Sequence, residues 1–218
     1  MLTDHLVLAG GGHTHALVLR RWAMNPQLRP KCFITLINRS SENIYSSMFP
    51  GLVSGKYGLN DVVIDLASLA HKAGVSLVLG EINGLDHQNN KMFIKDRIPI
   101  TFSLLSLDVG SQTFNPNNLV ECSHQNNVSE IKPFRKSWEW IQSLDDHLLK
   151  VPAPPLTIVG SGHAAIEISI ALRKRWPKRP LILQFTKGKL TSKFKNILIA
   201  SRIELSTNSD FPQGNVLL

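Results

Sequence analysis

Short apolar runs alternate with longer stretches of near-helical period along the first half of the chain, the signature of an α/β fold built on parallel strands. A run at His5–Ala9 breaks at Gly10-Gly11-Gly12 and opens into a predicted helix from about Thr14 to Met24, closed near Asn25-Pro26. Cys32–Asn38 reads as the next strand, and the spacing fits a right-handed β-α-β unit. A short helix is predicted over Asp65–Ala73, ended by Gly74, before a strand at Val75–Leu79. Alternation at Lys91–Lys95 and Ile98–Thr101 marks a small antiparallel excursion, and the apolar strand Leu104–Val109 ends at Gly110-Ser111.

The second half repeats the opening. Asn115–Asn127 is asparagine-rich and polar and reads as a loop. A helix is predicted from Phe134 to Leu149, with Trp138, Ile141 and Leu144 to Leu148 at near-helical spacing. The proline-rich Val151–Pro155 then forms a stiff boundary. Beyond it a strand from Leu156 breaks at Gly160-Ser161-Gly162 and opens into a helix running to Leu172. Pro180–Phe185 completes a second β-α-β; a helix at Lys193–Ala200, a strand at Arg202–Leu205 and a polar tail follow.

Two strand–glycine–helix turns about 150 residues apart carry the chemistry. The first glycine of such a turn suits positive φ, and the second lets backbone approach a diphosphate with no β-carbon between them. The helix start then offers unpaired N–H groups and about half a positive charge to the anion. Gly10 and Gly12, then Gly160 and Gly162, occupy these roles. The third position calls for a small residue; Ala165 supplies one, whereas His15 departs from the pattern. Either turn alone is equally a glycine loop before a packed helix; the pair points to a protein that brings two dinucleotides face to face.

Composition narrows the classes. The chain has 218 residues and 43% hydrophobic residues, enough for a real core in one large or two small domains. No apolar run is long enough to span a bilayer, and the first residues lack a signal-peptide pattern. Cys32 and Cys122 are isolated, which argues against a zinc site or a dithiol centre and for an intracellular chain. The net charge is +8, yet the cations are scattered, densest at Arg173-Lys174-Arg175 with Lys178-Arg179 and at Lys187 to Lys195. They read as solvated surface, with attraction to anionic membrane the weaker alternative and no nucleic-acid stripe.

Four stretches resemble FAD-dependent pyridine-nucleotide oxidoreductases of the type II NADH dehydrogenase kind, with closest likeness to the flavoprotein that some bacteria fuse to selenide, water dikinase. They are Gly10–His15, Tyr45–Gly51, Leu105–Ser111 and Gly160–Glu167, in family order. The resemblance implies two Rossmann-like domains with central parallel sheets: an FAD domain over 1–152, with an antiparallel excursion at about 80–102, and a partial NAD(P)H domain over 153–218. It assigns the FAD pyrophosphate to Gly10, Gly11, Gly12, His13, Thr14 and His15, and NAD(P)H to Gly160, Ser161, Gly162, His163 and Ala164. Ser47, Met48 and Pro50, the last fixing a turn, fall beside the flavin, and Gly110 where the chain passes close to it.

The resemblance further implies hydride transfer from NAD(P)H to FAD and on to an acceptor such as a quinone, in a cytoplasmic protein or one peripheral to the inner face of a membrane. Three departures accompany it. The acid expected to grip the FAD ribose is replaced by Asn38 and Arg39. No carboxylate follows Leu181–Phe185, where Lys187 and Lys189 read as solvated loop lysines, with a contact to a 2′-phosphate the weaker alternative. The family's later Gly-Asp segment is not reached by Leu218, so a truncated chain, a homodimer or a partner supplying that segment is expected.

Single residues are read with their alternatives. Glu167, placed on the first turn of the second helix, is a nicotinamide-positioning catalytic group by resemblance, or a carboxylate stabilising a helix start. His13 and His15 fall on different helix faces, His163 faces solvent or a phosphate, and no metal set is seen. Asp108 is assigned a backbone hydrogen bond, not a general-base role. The rival to the enzyme is a non-catalytic nucleotide-binding module, a relic serving as sensor or assembly piece; a third reading is a single-nucleotide domain.

Overall fold

The structure, a computed structural model, describes residues 4–113, 128–145, 153–185, 190–207, 212 and 214–218. Chain contacts divide it into two compact units, Met1–Tyr45 with Val63–Ser111, and Ser46–Val62 with Gln112–Leu218. Each is an α/β body around a parallel sheet.

In the first unit, strands β1 (His5–Ala9), β2 (Phe33–Asn38), β5 (Ser76–Leu79) and β9 (Leu104–Leu107) form one sheet in the order β5-β2-β1-β9. All its pairings are parallel, with Leu8 opposite Leu36 and Ser106. Helices α1 (His13–Met24) and α4 (Leu66–Lys72) supply a layer whose core joins Leu6, Leu8, Leu19, Ile34, Leu36 and Leu66. Val7, Ala9 and Ile37 belong to a second cluster with Met92 and Ile94. Those two lie on β7 (Lys91–Ile94), the middle of a small antiparallel sheet with β6 (Ile82–Asp86) and β8 (Ile100–Thr101). Because both faces of β1 and β2 are covered, Leu6–Ala9 and Ile34–Ile37 lack polar alternation, with buried Thr35 the one polar residue among them. Each fully buried Leu or Ile contributes about 2 kcal/mol.

Local chemistry explains several boundaries. Asp65 caps α4 by accepting the Ser68 N–H at 2.8 Å. A short antiparallel pair, β3 (Glu42–Ile44) and β4 (Val63–Asp65), brackets a segment that joins the other unit. That segment contains α2 (Phe49–Val53) and α3 (Leu59–Val62). The turn expected at Pro50 is therefore the first turn of a helix, where a missing N–H costs nothing. Phe49, Leu52 and Val53 are buried, and this packing holds a helix that contains both Pro50 and Gly51.

The second unit holds a five-stranded parallel sheet in the order β10-β14-β11-β12-β13. Its strands are β10 (Val128–Ser129), β11 (Leu156–Val159), β12 (Leu181–Gln184), β13 (Glu204–Ser206) and β14 (Asn215–Leu217). The expected polar tail thus contains β14, buried throughout and hydrogen-bonded between β10 and β11. Helices α5 (Phe134–Ser143), α6 (His163–Arg175) and α7 (Ser192–Ala200) complete the unit. Trp138, Ile141, Leu172, Trp176 and Leu198 are buried. The asparagine-rich loop, Cys122, Lys187, Lys189 and the far end of the helix expected to reach Leu149 lie outside the described residues.

In the basic cluster at the end of α6, expected to be solvated, Lys174 and Lys178 are exposed as expected, whereas the three arginines are structural. Arg173 donates to the carbonyls of Trp176, Pro177, Arg179, Ser201 and Arg202 at 2.7–3.1 Å, tying the helix end to the entry of β13. Arg175 pairs with Asp145, which also accepts the Trp176 indole N–H at 2.7 Å. Arg179 is 1% exposed, stacks on Trp176 and donates to the Pro154 carbonyl at 2.9 Å. Burial pushes both the Arg173 and Arg179 guanidinium groups below their ordinary value; Arg202 adds repulsion at Arg173, and Asp145 opposes the shift at Arg179. Five carbonyls on one guanidinium hold Arg173 within the fold.

Candidate nucleotide-binding turns

The first turn sits where β1 stops. Gly10 has φ +92° and hydrogen-bonds to the Ile37 carbonyl at 2.8 Å. A β-carbon there would overlap the Asp108 backbone, so strain and space both demand glycine. The Gly11 N–H donates to Asn38 Oδ1 at 2.9 Å, and Asn38 Nδ2 donates to the Ser40 carbonyl at 2.8 Å. Asn38, considered for the ribose, is thus engaged within the loop. Asn43 Nδ2 fixes the Gly11 carbonyl at 2.8 Å.

His15 stands in the slot that calls for a small residue, and it is buried at 2% exposure. Its Nδ1 lies 2.6 Å from the Gly10 carbonyl and its Nε2 2.8 Å from Ser106 Oγ on β9. A carbonyl only accepts, so Nδ1 carries the proton, and in the neutral ring Nε2 accepts from the serine hydroxyl. The imidazole is thereby a strut between the loop and the sheet. It does not face the open side of the turn as a cofactor ligand would, because both ring nitrogens are used inside the protein.

The start of α1 is capped from across the sheet. Gly12 is its N-cap and has no side chain to offer, and Asp108 Oδ2 accepts the His15 N–H at 3.1 Å instead. This is the backbone hydrogen bond expected of Asp108. A carboxylate at this position favours the helix end by about 0.5 kcal/mol. With Gly10, Gly11 and His15 engaged, the N–H groups of Gly12, His13 and Thr14 take no protein acceptor among the described residues. His13 is exposed and stacks on Tyr45 with ring centroids 4.6 Å apart. Gly110 has φ +74° and open space around it, so glycine is required there by backbone shape alone.

The second turn repeats the layout with other contacts. The Gly160 N–H donates to the Gln184 carbonyl at 3.0 Å, as Gly10 does to Ile37. A β-carbon on Gly160 would meet Ala165 Cβ at 3.0 Å, which is the close strand–helix packing that a small third residue permits. Around Gly162 nothing lies within 4 Å of an added β-carbon. Ser161 is half-buried, Ala164 is exposed, and exposed His163 meets Phe194 edge-on at 5.4 Å.

Glu167 is exposed and stands fifth in α6, past the first turn, which contains no acid. The sequence expectation that it lies on that turn is corrected: the helix begins at His163, which makes Glu167 its fifth residue. Ser47 and Met48 form a single 3₁₀ turn ahead of α2, exposed and half-buried respectively. They and Pro50 belong to the second unit, whereas Gly10 to His15, Asn38, Arg39 and Gly110 gather in the first. Sequence reasoning missed Asn43 and Ser106, whose roles depend on partners 32 and 91 residues away. The one local signal was a histidine where a small side chain belongs.

No family model matches the chain, and no curated protein matches it in sequence. Solved structures do match in fold. Sulfide:quinone oxidoreductase from Aquifex aeolicus aligns over 98% of this chain and 58% of its own, at 17% identity and TM-score 0.70. NDH2 from Plasmodium falciparum in complex with NADH aligns over 99% and 54%, at 12% identity and TM-score 0.72. NADH:rubredoxin oxidoreductase from Clostridium acetobutylicum aligns over 99% and 57%, at 17% identity and TM-score 0.65. The chain spans somewhat over half the length of each of these proteins, and it shares their α/β fold with parallel sheets.

Proposed function

We propose that the chain is the two-nucleotide portion of an FAD-dependent NAD(P)H oxidoreductase. The reading takes residues 1–152 as the FAD portion and 153–218 as the NAD(P)H portion. The observation that carries it is the pair of strand–glycine–helix turns: one leaves the N–H groups of Gly12, His13 and Thr14 without protein acceptors, the other leaves open space at Gly162. A diphosphate fits both features, since it needs donors and a backbone free of β-carbons. Support comes also from the solved structures of like fold, two of which are named for NADH.

In this reading Gly12, His13 and Thr14 hold the FAD diphosphate, and Gly160 to Ala164 hold that of NAD(P)H. When bound, FAD supplies the redox chemistry, taking hydride from the nicotinamide and passing electrons to an acceptor such as a quinone. The protein's own part is to orient and to neutralise. His15 and Asn38 keep the first loop rigid, so that no ordering cost falls on nucleotide binding. His13, stacked on Tyr45, stands at the mouth of the loop as a partner for phosphate charge. Glu167 is retained as a nicotinamide-positioning group, and Ser47, Met48 and Gly110 as flavin neighbours, on the strength of the resemblance to type II NADH dehydrogenases and the selenide, water dikinase flavoprotein. Cytoplasmic location, peripheral membrane contact and a homodimer belong to the same reading.

Loading the purified chain with FAD and adding NADH or NADPH without oxygen tests it: the flavin band bleaches, and a quinone restores it. A chain that binds both nucleotides without bleaching is a binding module.

A further inference from the structure

The two turns differ in what stands at the second glycine, the residue where backbone comes closest to a diphosphate. At Gly162 an added β-carbon would have nothing within 4 Å. At Gly12 it would overlap both carboxylate oxygens of Asp108, so the room left by the glycine is taken by an acid of the chain itself. Asp108 is fixed there by backbone and side chain together. Its N–H donates to the Ala9 carbonyl at 2.8 Å, its backbone lies against Gly10, and its Oδ2 accepts the His15 N–H at 3.1 Å. Among the described residues no cation pairs with this half-buried carboxylate.

A helix start attracts an anion of either origin, a ligand phosphate or a side chain. Asp108 satisfies one N–H group at the start of α1 and sets a negative charge beside those of Gly12, His13 and Thr14. The helix end supplies about half a positive charge and the carboxylate a whole negative one, so the pair of them is net negative. We infer that Asp108 sets the charge selectivity of the first turn. It admits a diphosphate esterified at both ends, as in a dinucleotide, and disfavours one with a free terminal phosphate, as in a nucleoside diphosphate. The inference rests on the reading of the first turn as a diphosphate site. A terminal phosphate carries most of one further negative charge at neutral pH, and the same carboxylate repels it. Selectivity here comes from a repulsive group inside the site, not from a better contact with the favoured ligand. The second turn, with open space at Gly162 and no acid in the first turn of its helix, lacks this device.

The test displaces FAD from the whole chain, without divalent cations, using ADP-ribose or ADP. The return of free-flavin fluorescence reads the FAD site alone. Wild-type protein releases FAD at a lower concentration of ADP-ribose than of ADP. In D108N, whose amide oxygen keeps the His15 N–H partnered, the ratio of the ADP to the ADP-ribose concentration falls about fivefold. D108A, or D108S where the alanine chain does not fold, has no amide to donate to phosphate and moves the ratio the same way. A purely structural cap would change stability and leave the ratio alone. An unchanged or higher ratio in D108N, or a fall confined to D108N, overturns the inference while FAD binding stands. Failure of the wild-type chain to take up FAD overturns the nucleotide reading itself, and the inference with it.

Discussion

The two glycine turns follow one pattern and are held in place by different means. In the first, the third position is a buried histidine whose ring bridges the Gly10 carbonyl and Ser106, and the Asp108 carboxylate, just past β9, caps the helix. In the second, the third position is Ala165, packed against Gly160, with open space at Gly162. One turn is braced by polar long-range contacts; the other has a small residue packed closely against its first glycine. The difference teaches that a sequence motif specifies backbone shape, whereas the rigidity of that shape is decided by residues far along the chain.

The largest expected contrast is between Gly10→Ala and Gly160→Ala. At Gly10 the new methyl meets backbone and adds the strain of a positive φ, so unfolding in urea should show a loss of about 3 kcal/mol or more. At Gly160 it meets one methyl group at 3.0 Å, for a loss of about 1 kcal/mol. Equal losses would remove the claim that the first turn is the more tightly determined.

Next comes the third position. His15→Ala leaves a buried cavity and strands the Gly10 carbonyl and the Ser106 hydroxyl, and should cost about 2–3 kcal/mol in the same measurement. Ala165→Gly, by contrast, removes one methyl group from a helix and should cost about 1 kcal/mol. His15→Ala should also weaken FAD more than NAD(P)H, because the strut belongs to the first turn alone. A variant that keeps full stability would show the imidazole to be incidental.

A smaller contrast concerns the second glycines. Gly12→Ala pushes against the Asp108 carboxylate, which must move, whereas Gly162→Ala meets nothing. Thermal melting of Gly162→Ala should match wild type within about 0.5 kcal/mol, while its NAD(P)H affinity falls about tenfold as the methyl holds the diphosphate away. Unchanged affinity would count against the second turn as a nucleotide site.

The legible part of the fold was the part with covered faces. β1, β2 and β12 announced themselves as apolar runs ended by glycine or a turn, because each is packed on both sides. β14 escaped notice: Asn215, Val216 and Leu217 are too few for any period to show, and their burial comes from neighbours on both edges. α2 was hidden by Pro50 and Gly51, which argue locally for a turn and yield to the burial of Phe49, Leu52 and Val53. At the site, Gly10 and Gly160 were readable from steric need alone. The roles of Asn38, His15 and Asp108 were not, since each acts through a hydrogen bond closed only when strands β1, β2 and β9 come together. The missing ribose acid at position 38 was visible; that Asn38 serves the loop was not.

The most direct measurement is equilibrium dialysis of the chain against FAD and the oxidised nucleotide NAD(P)+ together. Two independent diphosphate-holding turns require one molecule of each bound at the same time, neither lowering the occupancy of the other. Competition between the two for a single place, or retention of only one under any ratio, would contradict the account.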